Sequence, residues 1–251
     1  MSVPETTEDL FLDGKLRLRQ PKRGHRAGHD AILLAAAVPA KAGDRIADFG
    51  AGVGAAGLAV ARRVPGIACV LVELDGALAE LARDNARLNS LAANVVALDI
   101  TASAEAFAAA GLGPDSVDFV LMNPPFNDAS RHRTSPDPKR EAAHVAKDDT
   151  LARWIHAARR VLKSGGALTL IWRADGLADV LAALDRGFGD ICVLAVHPGP
   201  MKPAIRILVS AIKGSNAPMS VRSALTLNDE NGSPTLEARD VLSGQPILLR
   251  V

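Results

Sequence analysis

Ile46-Ala47-Asp48-Phe49-Gly50-Ala51-Gly52-Val53-Gly54-Ala55-Ala56-Gly57 runs from a short apolar stretch through an acid into a glycine cluster, and Leu58 to Arg63 continues it as an Ala-rich helical segment. The order reads as strand, tight turn, helix. Gly52, Gly54 and Gly57 let the backbone turn sharply, approach a ligand and pack helix against strand. The next apolar run, Cys69-Val70-Leu71-Val72-Glu73, ends in an acid about 20 residues after the turn, the spacing of a ribose-binding carboxylate. A nucleotide-like ligand is therefore expected here.

The character of that ligand follows from the acids. Dinucleotide-binding turns usually carry an apolar residue where this chain has Asp48. Two carboxylates beside the turn, Asp48 and Glu73, suit a positively charged ligand better than a pyrophosphate. S-adenosyl-L-methionine carries a sulfonium, an ammonium and a ribose diol. The turn resembles the first motif of class I methyltransferases, and a dehydrogenase-like unit is the competing reading.

Working outward, the chain alternates strand-like and helix-like segments. Expected strands are Ala68 to Glu73, Asn94 to Leu98, Val117 to Met122, Ala167 to Trp172, Ile191 to Val196 and Ile205 to Ile212. Expected helices start at Asp30 and cover Gly76 to Leu88, Ala102 to Ala110, Thr150 to Leu162 and Leu177 to Leu184. Repeated strand–helix units predict an α/β fold: a doubly wound, Rossmann-like seven-stranded sheet, mostly parallel. The last two strands lack an intervening helix, so one late strand is expected to run antiparallel. The expected division is 1–45, a basic N-terminal segment and helix; 46–215, the core; and 216–251, a turn-rich tail packed on the core.

Composition narrows the function classes. The 251 residues are 48% hydrophobic and 23% charged, enough for one large core. The net charge of +1 gives no global polyelectrolyte signal, so nucleic-acid affinity must come from local patches. Two such patches stand out. Lys15 to Arg26 holds Lys15, Arg17, Arg19, Lys22, Arg23 and Arg26 with no acid, after an acidic and irregular residues 1–14. Asn127 to Lys147 is a long polar stretch with Arg131, His132, Arg133, Lys139, Arg140 and His144. Each is read either as solvated chain or as a surface for phosphates. Cys69 and Cys192 lie in separate expected strands and read as buried thiols. His25 and His29 lack an accompanying acid and sit among glycines, so no metal site is expected. No apolar run approaches about 18 residues and the N-terminus is acidic, so neither a membrane span nor a signal peptide is expected, and a cytoplasmic location is.

The fourth core strand ends in Asn123-Pro124-Pro125-Phe126. Open α/β sheets bind ligands beyond the carboxyl ends of their strands, so this turn should face the crevice of Asp48 and Glu73. Two prolines withdraw N–H donors and leave carbonyls as acceptors. The Asn123 side-chain carbonyl and the Pro124 carbonyl could accept both hydrogens of a planar amine, and Phe126 could stack on the group that carries it. An ordinary Asn-Pro turn is the plain alternative.

Together the Asp48 glycine turn and Asn-Pro-Pro-Phe resemble the amino-methyltransferases that act on adenine N6, cytosine N4 or glutamine N5. Residues 20–34, Gln-Pro-Lys-Arg-Gly-His-Arg-Ala-Gly-His-Asp-Ala-Ile-Leu-Leu, are similar to the N-terminal segment of bacterial tRNA (adenine-N6) methyltransferases acting on adenine 37 of valine tRNA. The resemblance spans roughly residues 8–245. One departure is His25, where that group commonly has Tyr. The resemblance implies that Asp48 and Gly50 hold the methionine moiety through backbone groups and water, while Gly52 and Gly54 permit close approach. It implies that Glu73 accepts from the ribose, Asp99 accepts from the adenine amine, and Ile100 and Leu74 cover the two ring faces. It places Arg26 and Asp30 at the methionine end. Asn123, Pro124, Pro125 and Phe126 are the implied catalytic residues, with tRNA held by Lys15–Arg26 and Asn127–Lys147.

Competing assignments remain. A small-molecule O-methyltransferase would need a base or metal that the sequence does not offer. A release-factor glutamine methyltransferase would carry a helical domain longer than the few dozen residues before Ala47. A DNA methyltransferase would need a recognition region. A non-catalytic RNA-binding module would have no use for an intact Asn123–Phe126 turn, and a nucleotide-dependent oxidoreductase is the outlier.

Overall fold

Apolar strands that alternate with amphipathic helices build a central sheet with helices on both faces. The computed structural model describes residues 5–24, 26–125 and 149–249. The sheet strands are β3 (Arg45–Phe49), β4 (Ala68–Glu73), β5 (Ala93–Ala97), β6 (Val117–Met122), β7 (Leu162–Arg173), β8 (Phe188–His197) and β9 (Arg206–Lys213). Numbering the N-terminal hairpin β1 (Thr6–Phe11) and β2 (Leu16–Pro21), the sheet order is β8-β9-β7-β6-β3-β4-β5. The strands from β7 to β5 run parallel, and β9 lies antiparallel between β7 and β8. The seven-stranded, mostly parallel expectation therefore holds, with its single antiparallel late strand. The tail adds two short strands on the far side of β8: β10 (Ser220–Val221) and β11 (Leu225–Thr226).

Two cores flank the sheet. On one face α1 (His29–Ala36), α2 (Ala55–Arg63) and α3 (Gly76–Leu88) enclose Leu33, Leu34, Leu58 and Leu71. On the other, α4 (Ala104–Ala109), α5 (Asp149–Val161) and α6 (Leu177–Leu184) enclose Phe49, Phe107, Met122 and Ile155. A last helix, α7 (Leu236–Leu242), returns to the α1 side, where Ile247 N–H donates to Ala36 O at 2.8 Å. Gly57 lets α2 sit tightly on β4: a methyl group there would come within 2.4 Å of Leu71 Cδ2.

The expectation that residues 1–14 are irregular is corrected from Thr6 onward. Residues 6–21 form an antiparallel hairpin, Thr6 opposite Pro21 and Phe11 opposite Leu16. In β2 the apolar Leu16 and Leu18 point inward, and Arg17 and Arg19 outward, a period-2 pattern hidden by the high charge of the segment. The acids of the first strand then meet the bases of the second. Glu8 lies 3.5 Å from Arg17 and 3.9 Å from Arg19; Glu5 lies 3.2 Å from Lys22; Asp9 lies 2.5 Å from Arg26.

This hairpin is fastened to α3 by two amides one turn apart. Asn85 accepts from Arg19 N–H at 2.7 Å and donates to Arg19 O and Val53 O, both at 3.0 Å. Asn89 accepts from Arg17 N–H at 2.9 Å and donates to Arg17 O at 2.6 Å. The two side chains take the place of a neighbouring strand, satisfying the open edge of β2. Among the described residues no helix is long and apolar enough to cross a membrane.

Candidate active site

Strand register brings the sequence motifs to one edge. Phe49 pairs with Met122 on β6 and with Val72 on β4, so Gly50, Glu73 and Asn123 leave adjacent strands at nearly the same level. Glu73 pairs with Ala97, and Leu98 N–H donates to Glu73 O at 3.1 Å, which brings Asp99 and Ile100 alongside. The glycine turn is pinned where Gly50 N–H and Ala51 N–H both donate to Val72 O, at 2.9 and 3.0 Å.

Glu73 is almost fully buried, and its two oxygens accept from Gly52 N–H at 2.7 Å and Asp75 N–H at 2.8 Å. Each oxygen keeps a further acceptor position, so the carboxylate is held in place with capacity for a diol. Gly52 faces open space: a methyl group there would touch nothing within 4 Å. Leu74 beside it is 67% exposed, unusual for a leucine, whereas Ile100 is buried. Asp99 is held below the usual carboxylate range by the Thr101 N–H and hydroxyl, at 2.7 and 2.8 Å, with the charge of Arg153 adding to the effect. A cleft of about 280 Å³ lies beside Ile100 and Thr101, bounded across from them by Arg153, His156 and Arg160 of α5.

Asp48 behaves differently from Glu73. It is 2% exposed and lies behind the turn, its Oδ2 accepting from Gly57 N–H at 2.8 Å inside α2. Burial pushes its pKa up to about 7; the Gly57 hydrogen bond opposes this and the nearby Glu73 charge reinforces it. Burial likewise pushes the Cys69 thiol up, with Asp48 contributing. Asp48 therefore supports the turn from within while Glu73 faces its open side. Arg26 pairs with Asp9 and donates to Pro21 O, and Asp30 accepts from Arg206 Nε at 2.8 Å.

Asn123 Oδ1 is buried without a hydrogen-bond partner among the described residues. Of the six such side-chain atoms among the described residues, it alone follows the carboxyl end of a sheet strand. An unsatisfied buried acceptor costs about 1–3 kcal/mol, and this one lies at the carboxyl end of β6, one strand from the glycine turn. Pro124 is buried beside it and Pro125 exposed. Phe126, His25 and the Asn127–Lys147 stretch lie outside the described residues.

One residue of this edge was not expected. Trp154 of α5 rests against Gly50: a methyl group on Gly50 would come within 2.5 Å of Trp154 Cη2 and 2.9 Å of Cζ3. Its helical spacing with Leu151 and Ile155 marks only a core face, and nothing local signals a partner 104 positions away. Among the described residues no group of three or more His, Cys, Asp or Glu is placed to hold a metal ion.

The residues fit S-adenosylmethionine. A fixed acceptor for the ribose diol, open space above Gly52, and apolar surfaces at Leu74 and Ile100 match an adenosyl group. Neither carboxylate of the pair Asp48 and Glu73 has a cationic partner among the described residues.

Comparison with known proteins agrees. The profile of the methyltransferase small domain family matches residues 28–199. A tRNA1(Val) (adenine(37)-N6)-methyltransferase of Porphyromonas gingivalis is 30% identical over 179 residues, covering 68% of each chain. A release factor glutamine methyltransferase of Chlorobaculum tepidum is 26% identical, over 74% of this chain and 65% of that protein. A solved structure from Agrobacterium tumefaciens, described as a predicted O-methyltransferase, superposes with a TM-score of 0.72 at 34% identity, covering 86% of this chain and 97% of the other.

Proposed function

The chain belongs to the methyltransferase small domain family and is an S-adenosylmethionine-dependent methyltransferase; from that premise we propose that it methylates the N6 amine of an adenine in tRNA. The observation that carries the substrate assignment is the unpartnered Asn123 Oδ1 at the carboxyl end of β6, one strand from the glycine turn. The name of the Porphyromonas gingivalis relative supports tRNA as the bearer of that amine.

When bound, the cofactor supplies an electrophilic methyl group on sulfur. Glu73 would hold the ribose hydroxyls with lone pairs that Gly52 and Asp75 leave free. Leu74 and Ile100 would pack on the adenine, and Asp99 would accept from its amine. The Gly50–Gly54 backbone would hold the methionine part. On the target side, Asn123 Oδ1 and Pro124 O accept the two amine hydrogens. An aryl amine is a poor nucleophile because its lone pair is delocalised into the ring. Two acceptors placed tetrahedrally favour the pyramidal nitrogen, whose lone pair is then free to attack, so stabilisation grows toward the transition state. The methylated nitrogen is strongly acidic and its surplus proton passes to water, so no side-chain base is required. The resemblance to the amino-methyltransferases gives Phe126 the role of a stacking partner for the flipped base.

The test is nucleoside mass spectrometry on tRNA from cells lacking the protein, before and after incubation with the purified chain and S-adenosylmethionine. N6-methyladenosine should be missing from one tRNA and return on incubation. The same acceptor pair also fits a glutamine amide, the substrate class in the name of the Chlorobaculum tepidum relative. Methylation of a release-factor peptide with unmodified tRNA would replace the tRNA reading.

A further inference from the structure

Gly50 opens the glycine turn with φ +70°, and its exposed side is covered by the indole edge of Trp154. The ring is partly buried at the border of the core that holds Phe49, Met122 and Leu151. Core aromatics normally pack against apolar side chains. This one meets the peptide backbone of Gly50, the first of the three glycines (Gly50, Gly52 and Gly54) whose positive φ shapes the loop. The Gly50 N–H is fixed in turn by its bond to Val72 O, 2.9 Å. Gly50 is therefore clamped between strand β4 and helix α5. Helix α5 is also the element that bounds the cleft beside Ile100, through Arg153 and His156.

We propose that Trp154 is a positioning residue for S-adenosylmethionine: its indole holds Gly50 in the ligand-binding turn, from the same helix whose Arg153 and His156 border the neighbouring cleft. The proposal rests on the cofactor reading given above. Binding along Gly50–Gly54 then changes the surroundings of the indole, and loss of the ring loosens the turn before it touches the chemistry. A stacking or cation–π contact with the ligand would add to the same effect.

The chain has two tryptophans, Trp154 and Trp172, so each can be isolated by substituting the other. In Trp172→Phe, titration with S-adenosylhomocysteine should change tryptophan emission saturably, with the midpoint equal to the calorimetric Kd. In Trp154→Phe, emission should stay flat although calorimetry still shows binding. Trp154→Ala should raise the Kd for S-adenosylhomocysteine and the KM for S-adenosylmethionine by about fivefold or more, while kcat at saturating cofactor stays within about twofold. Trp154→Phe should recover affinity to within about twofold, because an aromatic edge is retained. Should Trp154→Ala not fold, the emission of the two phenylalanine variants decides. Silent Trp154 emission with calorimetric binding, or unchanged affinity in Trp154→Ala, overturns the proposal alone. No binding of S-adenosylhomocysteine to the unmodified chain overturns it together with the cofactor reading.

Discussion

At the residue scale the two acids flagged beside the glycine turn divide their labour, and pH separates them. Asp48 has a native pKa of about 7 against an ordinary 3.8, chiefly through burial. A raised carboxyl pKa means that the native state takes up a proton the unfolded chain releases between those values. Its contribution to stability is complete below about pH 4 and is lost as pH rises through 7, a change on the order of 4 kcal/mol. Asp48→Asn keeps an acceptor for Gly57 N–H without the buried charge. The ligand-free variant should therefore be more stable than the parent at pH 8 and nearly equal to it at pH 4, measured by denaturant midpoints. A parent and variant with the same pH slope would show that Asp48 does not titrate as placed. The variant should bind S-adenosylmethionine more weakly above pH 7, because the negative charge that favours a cationic ligand is gone. Asn123 makes the opposite kind of contribution. Its orphan Oδ1 should act mainly in the transition state, so Asn123→Ala should lower kcat by an amount equivalent to roughly 2–4 kcal/mol and change KM little. Near-normal turnover would remove the amine mechanism and favour O-methyl transfer. Glu73, Asp99 and Asn123 were legible because a strand's end can be read from its apolar run. The depth of Asp48 was not, since only packing of α2 on β4 reveals which acid lies behind the turn.

At the element scale the least legible part is the N-terminal hairpin. Thr6–Phe11 carries two acids in six residues and half-buried positions, so no clean alternation announces a strand. Leu16-Arg-Leu-Arg does alternate, but four residues of pattern beside so much charge read equally as a solvated arm. Asn85 falls inside the expected helix Gly76 to Leu88, yet its function lies across space: its amide satisfies Arg19 and reaches Val53 O in the glycine turn. Asn85→Ala would leave the Arg19 N–H and carbonyl and the Val53 carbonyl unsatisfied at a fully buried position. We expect a loss of about 2–4 kcal/mol in denaturant unfolding, with a secondary weakening of cofactor binding through Val53. Asn85→Asp, which accepts but cannot donate, should fall between the two. Unfolding unaffected by Asn85→Ala would mean that water replaces the amide. By contrast the helices and core strands needed only their apolar periodicity, and most boundaries fall within two residues of expectation. The main exception is β7, which begins at Leu162 because Lys163–Gly166 extends the strand through a bulge facing Asp118.

At the scale of the whole molecule, charge limits how the substrate is held. The net charge is +1, and the hairpin that looked like a phosphate surface neutralises most of itself. Residues 5–26 carry six bases (Lys15, Arg17, Arg19, Lys22, Arg23, Arg26) against four acids (Glu5, Glu8, Asp9, Asp13), and four of the six bases sit within 4 Å of an acid. Residues 127–147 carry five bases (Arg131, Arg133, Lys139, Arg140, Lys147) against three acids (Asp128, Asp137, Glu141). Together they leave a surplus of four positive charges, from six minus four plus five minus three. A protein with so small a surplus cannot neutralise a long run of RNA backbone. Each phosphate contact contributes a slope of about −0.9 in log affinity against log salt, so tRNA binding should show a total slope near −2 to −4. Neutralising Lys22, Arg23, Arg131 and Arg133 together should take most of that slope away. It should leave S-adenosylhomocysteine affinity unchanged, since none of the four belongs to the strand-end cluster of Gly50, Glu73, Asp99 and Asn123. Discrimination between tRNAs would then rest on extracting one base into the Asn123 turn, a cost of a few kcal/mol that is smallest for a base already unpaired in a loop. A slope of about −8 or steeper would contradict this account, because it requires about nine phosphate contacts, well beyond the surplus of four positive charges on these two segments.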